Sequence, residues 1–191
     1  ATGIYAPLYY LTDDVQGLRS GVSVFAPLAP LVQGRRYLYV GSVQEFAGES
    51  EVSDNQYIVD QGVGASFSPV TAKVITLARD TCDYSNALID GEDYEGMLVK
   101  VPFATIVLNT LNQQLPTNGF HIAQIRSAAP NDSSYIFVSN LNNVLTPFTH
   151  PTLGRKVAVT GVLHYANGSF RICPRNYADI EFDPTVDANP T

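Results

Sequence analysis

The chain has 191 residues, 45% of them hydrophobic and 15% charged, the make-up of a folded protein with a sizeable core rather than of a disordered one. No run approaches the roughly 18 continuous apolar residues of a membrane-spanning helix. A net charge of -7, with 11 Lys and Arg, leaves little to grip a phosphate backbone, so nucleic acid is disfavoured as the main partner.

Fourteen Gly and twelve Pro punctuate short segments, which points to an all-β chain of strands and turns. No basic, apolar leader precedes Ala1-Thr2-Gly3, as expected of a chain whose export signal has been removed. Ala1 to Pro7 is short and apolar, and Tyr9–Thr12 then reads as a strand closed by Asp13-Asp14. Gly21–Phe25 alternates apolar and small polar side chains with period two, a half-buried strand ended by Pro27. Arg36–Phe46 is a long strand with Gly41 in its middle, the place for a bulge. Gly48 turns the chain into a strand at Glu49–Val52. Val70–Leu77 is β-rich and reads as a connecting strand, and Asp80–Asp93 as an acidic, turn-like stretch. Strands follow at Met97–Val107, Phe120–Ala123, Tyr135–Val138, Lys156–His164 and Phe170–Cys173, the last pair joined by the Asn167-Gly168 hairpin turn.

One segment is used twice. Gly34-Arg35-Arg36-Tyr37-Leu38-Tyr39-Val40-Gly41 returns as Gly154-Arg155-Lys156-Val157-Ala158-Val159-Thr160-Gly161, and both copies run on to a Gly turn, at Gly48 and Gly168. The repeat predicts two β modules: an incomplete one over residues 1–56, a connector over 57–93, a complete one over 94–182 and an acidic tail over 183–191. The second copy is preceded by the long strand through Tyr94-Glu95-Gly96-Met97-Leu98-Val99, whereas the first has almost no chain upstream to supply an equivalent.

Tyr94–Val99, Val159-Thr160-Gly161-Val162-Leu163 and Phe170–Ile180 together resemble a family of bacterial OB-like modules found in secreted and surface proteins, often in tandem and often beside extracellular nuclease or phosphatase domains. Tyr10–Asp14, Ser20–Phe25 and Val43–Phe46 resemble the middle and end of the same module. The resemblance implies two tandem OB-like Greek-key barrels, the first lacking most of its first strand, in an extracellular or cell-surface setting. It implies no activity, since the chemistry of such proteins belongs to neighbouring domains.

Candidate chemistry is sparse. His121, His150 and His164 lie on separate segments without ligand spacing, and His121 and His164 read as structural residues of strands. Asp80, Asp83 and Asp90, with Glu92 and Asp93, form a weak Ca²⁺ candidate that lacks the spacing of a calcium loop and reads as a solvated acidic stretch. Glu49 and Glu51 flank Ser50 on one strand face and read as exposed. No nucleophile elbow, phosphate loop or Cys/His metal motif occurs, so no enzyme, cofactor or metal is expected. Cys82 and Cys173 are a candidate disulfide or two buried thiols. Asn131-Asp132-Ser133 and Asn167-Gly168-Ser169 match the N-glycosylation sequon, which leaves surface glycans open.

A barrel short of one strand exposes an edge that recruits another. The expectation is therefore a non-catalytic extracellular assembly protein, a repeating filament or surface-polymer subunit whose copies join by donating strands or termini. Ala1, Thr2, Gly3, Ile4, Tyr5 and Val186 are the donor candidates. The alternative is a single-stranded nucleic-acid-binding accessory module using Arg35, Arg36, Arg155 and Lys156, with Tyr37, Tyr39, Phe137 and Phe170 as possible stacking rings. A carbohydrate- or Ca²⁺-dependent adhesion module is the third reading.

Overall fold

The computed structural model describes residues 3–5, 8–13, 16–63, 70–75, 77, 91–107, 118–125, 133–166 and 168–184. These form an all-β molecule of two sheets. The first contains β1 (Gly3–Tyr5), β2 (Leu8–Thr12), β3 (Gly21–Phe25), β4 (Arg36–Phe46) and β5 (Glu49–Gly62), in the order β1-β2-β3-β5-β4. The second contains β6 (Lys73–Val74), β7 (Leu98–Val107), β8 (Gly119–Ile125), β9 (Ser133–Ser139), β10 (Lys156–Ala166), β11 (Ser169–Cys173) and β12 (Ile180–Phe182). Its order is β12-β10-β11-β9-β8-β7-β6, and an additional β10–β7 pairing closes five of these strands into a barrel.

The two sheets share one wiring. In each, the third strand runs parallel to the fifth, through Ser23↔Glu51 and Val24↔Val52 in the first and Phe137↔Arg171 and Val138↔Ile172 in the second. All other pairings among these five strands are antiparallel. Register then matches Val43, Val52, Val24 and Tyr9 with Leu163, Ile172, Val138 and Phe120. The match also shows where the sheets part. Tyr10 faces Gly3 where His121 faces Val107, so β1 takes the place of the very end of β7. The pairs that β7 makes with β10, from Leu98↔Val162 to Thr105↔Lys156, have no counterpart on β4. The first sheet is thus a curled half-barrel.

Alternation explains the cores. In the barrel Val99, Val101, Ala104 and Ile106 of β7 meet Phe120, Ile122, Val138, Val159, Leu163 and Ile172, all nearly or fully buried. Among the described residues this core draws on those from Ile75 onward, without a contribution from the first sheet. The half-barrel has a smaller cluster of Tyr9, Val24, Leu31 and Val52, flanked by Tyr37, Tyr39 and Ile58.

Several expectations are corrected. β5 does not end at Val52 but continues to Gly62, so the strand crosses residue 56, the expected end of the first module. The polar run Ser53-Asp54-Asn55-Gln56 is absorbed by a register shift opposite Gly41, where a bulge was expected. Val70–Leu77 yields only the two-residue β6, which pairs with β7 in parallel. β12 was not foreseen; it pairs along β10 from Val157 to Val159.

Candidate functional site: an open edge and a buried seam

The outer edge of β4 has no partner strand among the described residues. An eleven-residue edge is long for a natural sheet, which ordinarily shortens, bulges or covers such a strand. Its consequence is clearest at matched positions. Val43 pairs with Val52 and so faces the half-barrel interior, yet it is 72% exposed; Leu163, its counterpart, is 0% exposed, with Gly96 and Met97 at the entry to β7 bonded along its edge. Tyr37 and Tyr39, the counterparts of the sealed Val157 and Val159, are likewise only half-buried. Burial pushes the Tyr39 phenol above its ordinary range, and its Oη is enclosed without a hydrogen-bond partner among the described residues. The other face of the ribbon carries Leu38 and Val40 beside Tyr57, all exposed.

The opposite face of the half-barrel is seated on the barrel. Tyr10, Leu98, Val162 and Cys173 form a buried apolar patch between the sheets, with Leu8 and Val144 packed against it. At its margin Tyr10 Oη donates to Glu49 Oε1 at 3.1 Å, and His164 Nδ1 lies 2.8 Å from the same oxygen and 2.6 Å from Tyr10 Oη. With the proton on Nδ1, Glu49 accepts from both partners and the Nδ1–H is shared between Glu49 Oε1 and Tyr10 Oη. Glu49 and Glu51 are therefore not the exposed pair expected of a polar strand face: Glu49 is 5% exposed and Glu51 is 8% exposed. The barrel docks over that face, and Glu49 spends its charge on partners contributed by both sheets.

Glu95 is the second buried carboxylate of the seam. Its Oε1 accepts the Ser50 N–H at 2.7 Å, while its Oε2 is enclosed without a partner. Burial first, and then the Glu92 and Glu49 carboxylates, push its pKa up to about 7. Glu92 is also raised, by burial first and then by Glu45 across the seam. Backbone meets backbone at Gly21 and Gly96. A Cβ at Gly21 would lie 2.3 Å from the Glu95 carbonyl oxygen, and one at Gly96, where φ is +69°, 2.7 Å from the Val22 nitrogen. The motif Tyr94-Glu95-Gly96 thus works as a joint: Glu95 caps Ser50 and Gly96 admits β3. At the rim Arg19 Nε meets Asp93 Oδ1 at 2.8 Å, an exposed pair worth little by itself.

The other candidate residues fall elsewhere. Gly3, Ile4 and Tyr5 pair with β2 of their own sheet, whereas Ala1, Thr2 and Val186 lie outside the described residues, as do Asp80, Asp83, Asp90 and Cys82. Cys173 is fully buried in the seam, and burial pushes its thiol pKa up. Arg35 is held by Asp60, with Nε 2.7 Å from Oδ2, and the Arg155 guanidinium lies over the Phe182 ring. Arg36 and Lys156 begin β4 and β10 and are exposed. Phe170 is buried beneath Tyr165, and Tyr37 and Tyr39 are half-buried on the interior face of the half-barrel. His121 is buried on β8 beside Phe137, with burial pushing its pKa down, and His150 sits against Phe148. Among the described residues no group of three or more His, Cys, Asp or Glu is arranged to hold a metal ion. No helix among them is long and apolar enough to cross a membrane.

No family model matches the chain, and neither any curated protein nor any solved structure matches it.

Proposed function

We infer that the chain is a non-catalytic structural subunit built of two OB-like modules in tandem, and that the open first module completes itself with a strand from another copy. The strand order 1-2-3-5-4, closing from 4 back to 1 and with strands 3 and 5 parallel, is the wiring of an OB-type barrel, which supports the OB-like reading. The observation that carries the assembly reading is the contrast at matched interior positions: Val43 is 72% exposed and Leu163 0%. A strand laid antiparallel along β4 in the manner of β7 along β10 would hydrogen-bond the free edge and cover Tyr37, Tyr39 and Val43. Because donor and acceptor surfaces differ, such exchange is head-to-tail and propagates unless the rotation closes. The resemblance to secreted and surface modules supports an extracellular setting.

The test is assembly itself. The wild-type chain is expected to form repeating oligomers, seen by sedimentation velocity and negative-stain imaging. Val43→Lys, which places a charge on the wall of the slot at an already exposed position, is expected to stay as single copies with an unchanged far-UV spectrum. Removing residues 185–191 separates donation by the tail from donation by another segment. A wild-type chain that remains a single copy at high concentration overturns the reading.

A further inference from the structure

We propose that the seam between the half-barrel and the barrel is a proton-operated joint, closed while Glu95 carries a proton and loosened when it ionises.

The geometry sets two carboxylates in one buried interface. Glu49 and Ser50 are adjacent on β5; the first meets His164 of the barrel, and the second donates to Glu95 of the barrel. Glu49 has two partners for its charge, Tyr10 and His164. Glu95 meets the Ser50 N–H and, more weakly, the Ser50 hydroxyl, and its second oxygen faces no donor among the described residues. A neutral carboxyl can sit there at modest cost. A carboxylate there is an under-bonded charge beside a second one, the arrangement that burial and like-charge repulsion both oppose.

Among the described residues, the groups facing Glu95 give it no cation. From β5 come Glu49 and the N–H and hydroxyl of Ser50; from the turn Glu92–Tyr94 comes Glu92, next to Asp93; from β4 Glu45 approaches Glu92. His164 of β10 and Tyr10 of β2 are turned to Glu49, and Arg19 is engaged with Asp93 at the rim. Glu95/Glu49 and Glu92/Glu45 are both like-charge pairs that span the two sheets, so ionising Glu95 and Glu92 adds repulsion between the sheets at these two places.

The sign follows from the direction of the shift. Glu95 titrates near 4.5 when unfolded and at about 7 when folded, so the stability it contributes is complete below about pH 4.5 and is lost as the pH rises through about 7. Across that window the equilibrium for opening the seam should rise by about two orders of magnitude.

Amide hydrogen exchange between pH 5 and 8, corrected for the intrinsic pH dependence, reads the joint directly. The Ser50 and Arg19 amides, bonded to Glu95 and to the Asp93 carbonyl across the seam, should lose protection by up to about a hundredfold. The Gly154 amide, bonded to Ile106 within the barrel, should not change. Glu95→Gln keeps an acceptor for Ser50 and cannot ionise, so its seam amides should stay protected throughout. In the wild-type protein the ¹³C shift of the Glu95 carboxyl should titrate near neutrality, a measurement that needs no variant. Seam protection that is flat from pH 5 to 8, a Glu95→Gln protein that follows the wild-type profile, or a Glu95 carboxyl that titrates near 4.5 would each overturn the proposal.

Discussion

Gly21→Val is expected to unseat the half-barrel from the barrel at a cost of about 3 kcal/mol while leaving the barrel folded. The cause is contact alone. Gly21 is not among the glycines with positive φ, so the backbone accepts any side chain, but the first added carbon would lie 2.3 Å from the Glu95 carbonyl oxygen and 2.5 Å from the Met97 nitrogen. Backbone atoms on both sides cannot swing away as a flexible side chain would. The sheets must separate by an ångström or more, and that breaks the Ser50–Glu95 hydrogen bond and opens the patch around Tyr10. Because the barrel core, among the described residues, draws on those from Ile75 onward, unfolding followed by NMR should split into an early loss of the half-barrel and a late transition at the wild-type midpoint of the barrel. A single transition at the wild-type midpoint would show that the close approach of Gly21 to Glu95 matters little.

Much of this architecture was legible in the residues because it is local. Gly21–Phe25 and Arg36–Phe46 match β3 and β4 end to end: period-two alternation identifies the strand, and Pro or Gly marks its limit. Spacing placed the bulge at Gly41, and the repeat of Gly34–Gly41 at Gly154–Gly161 marked matching strands of sheets wired alike. What failed is what depends on partners far away in the chain. The strand reads as ending at Val52 because nothing in the four polar residues Ser53–Gln56 announces that it resumes at Tyr57 beyond a bulge. Glu49 and Glu51 read as solvated because alternation tells which residues share a face but not whether another sheet will cover it. His164 meets Glu49 across 115 positions, and no spacing rule reaches that far. The signal that was present, Glu95-Gly96 ahead of the strand, served as a marker of resemblance; its physical use, a cap for Ser50 and a passage for β3, needed the docked sheets to become visible.

The matched positions also offer a measurement of what the half-barrel lacks. Leu163→Ala should destabilise the barrel by about 2–5 kcal/mol, since it removes a side chain sealed on all sides and leaves a cavity. Val43→Ala, at the corresponding place in the first sheet, should cost less than about 0.5 kcal/mol in a single copy, because water already reaches most of that side chain. Beyond the one carbon by which Leu exceeds Val, the two substitutions differ because the chain entering β7 covers one site and no strand among the described residues covers the other. If a donated strand occupies the slot on assembly, Val43 becomes a core residue there. The two methyl groups lost in Val43→Ala would then weaken each junction by about 1.6 kcal/mol and raise the protein concentration needed for assembly by roughly tenfold. Chemical denaturation of dilute single copies and sedimentation of the assembling protein would read the two halves of this expectation separately. A Val43→Ala chain that assembles at the wild-type concentration would mean that the strand, if one is exchanged at all, is not laid over the interior face of β4, and that the open edge has some other use.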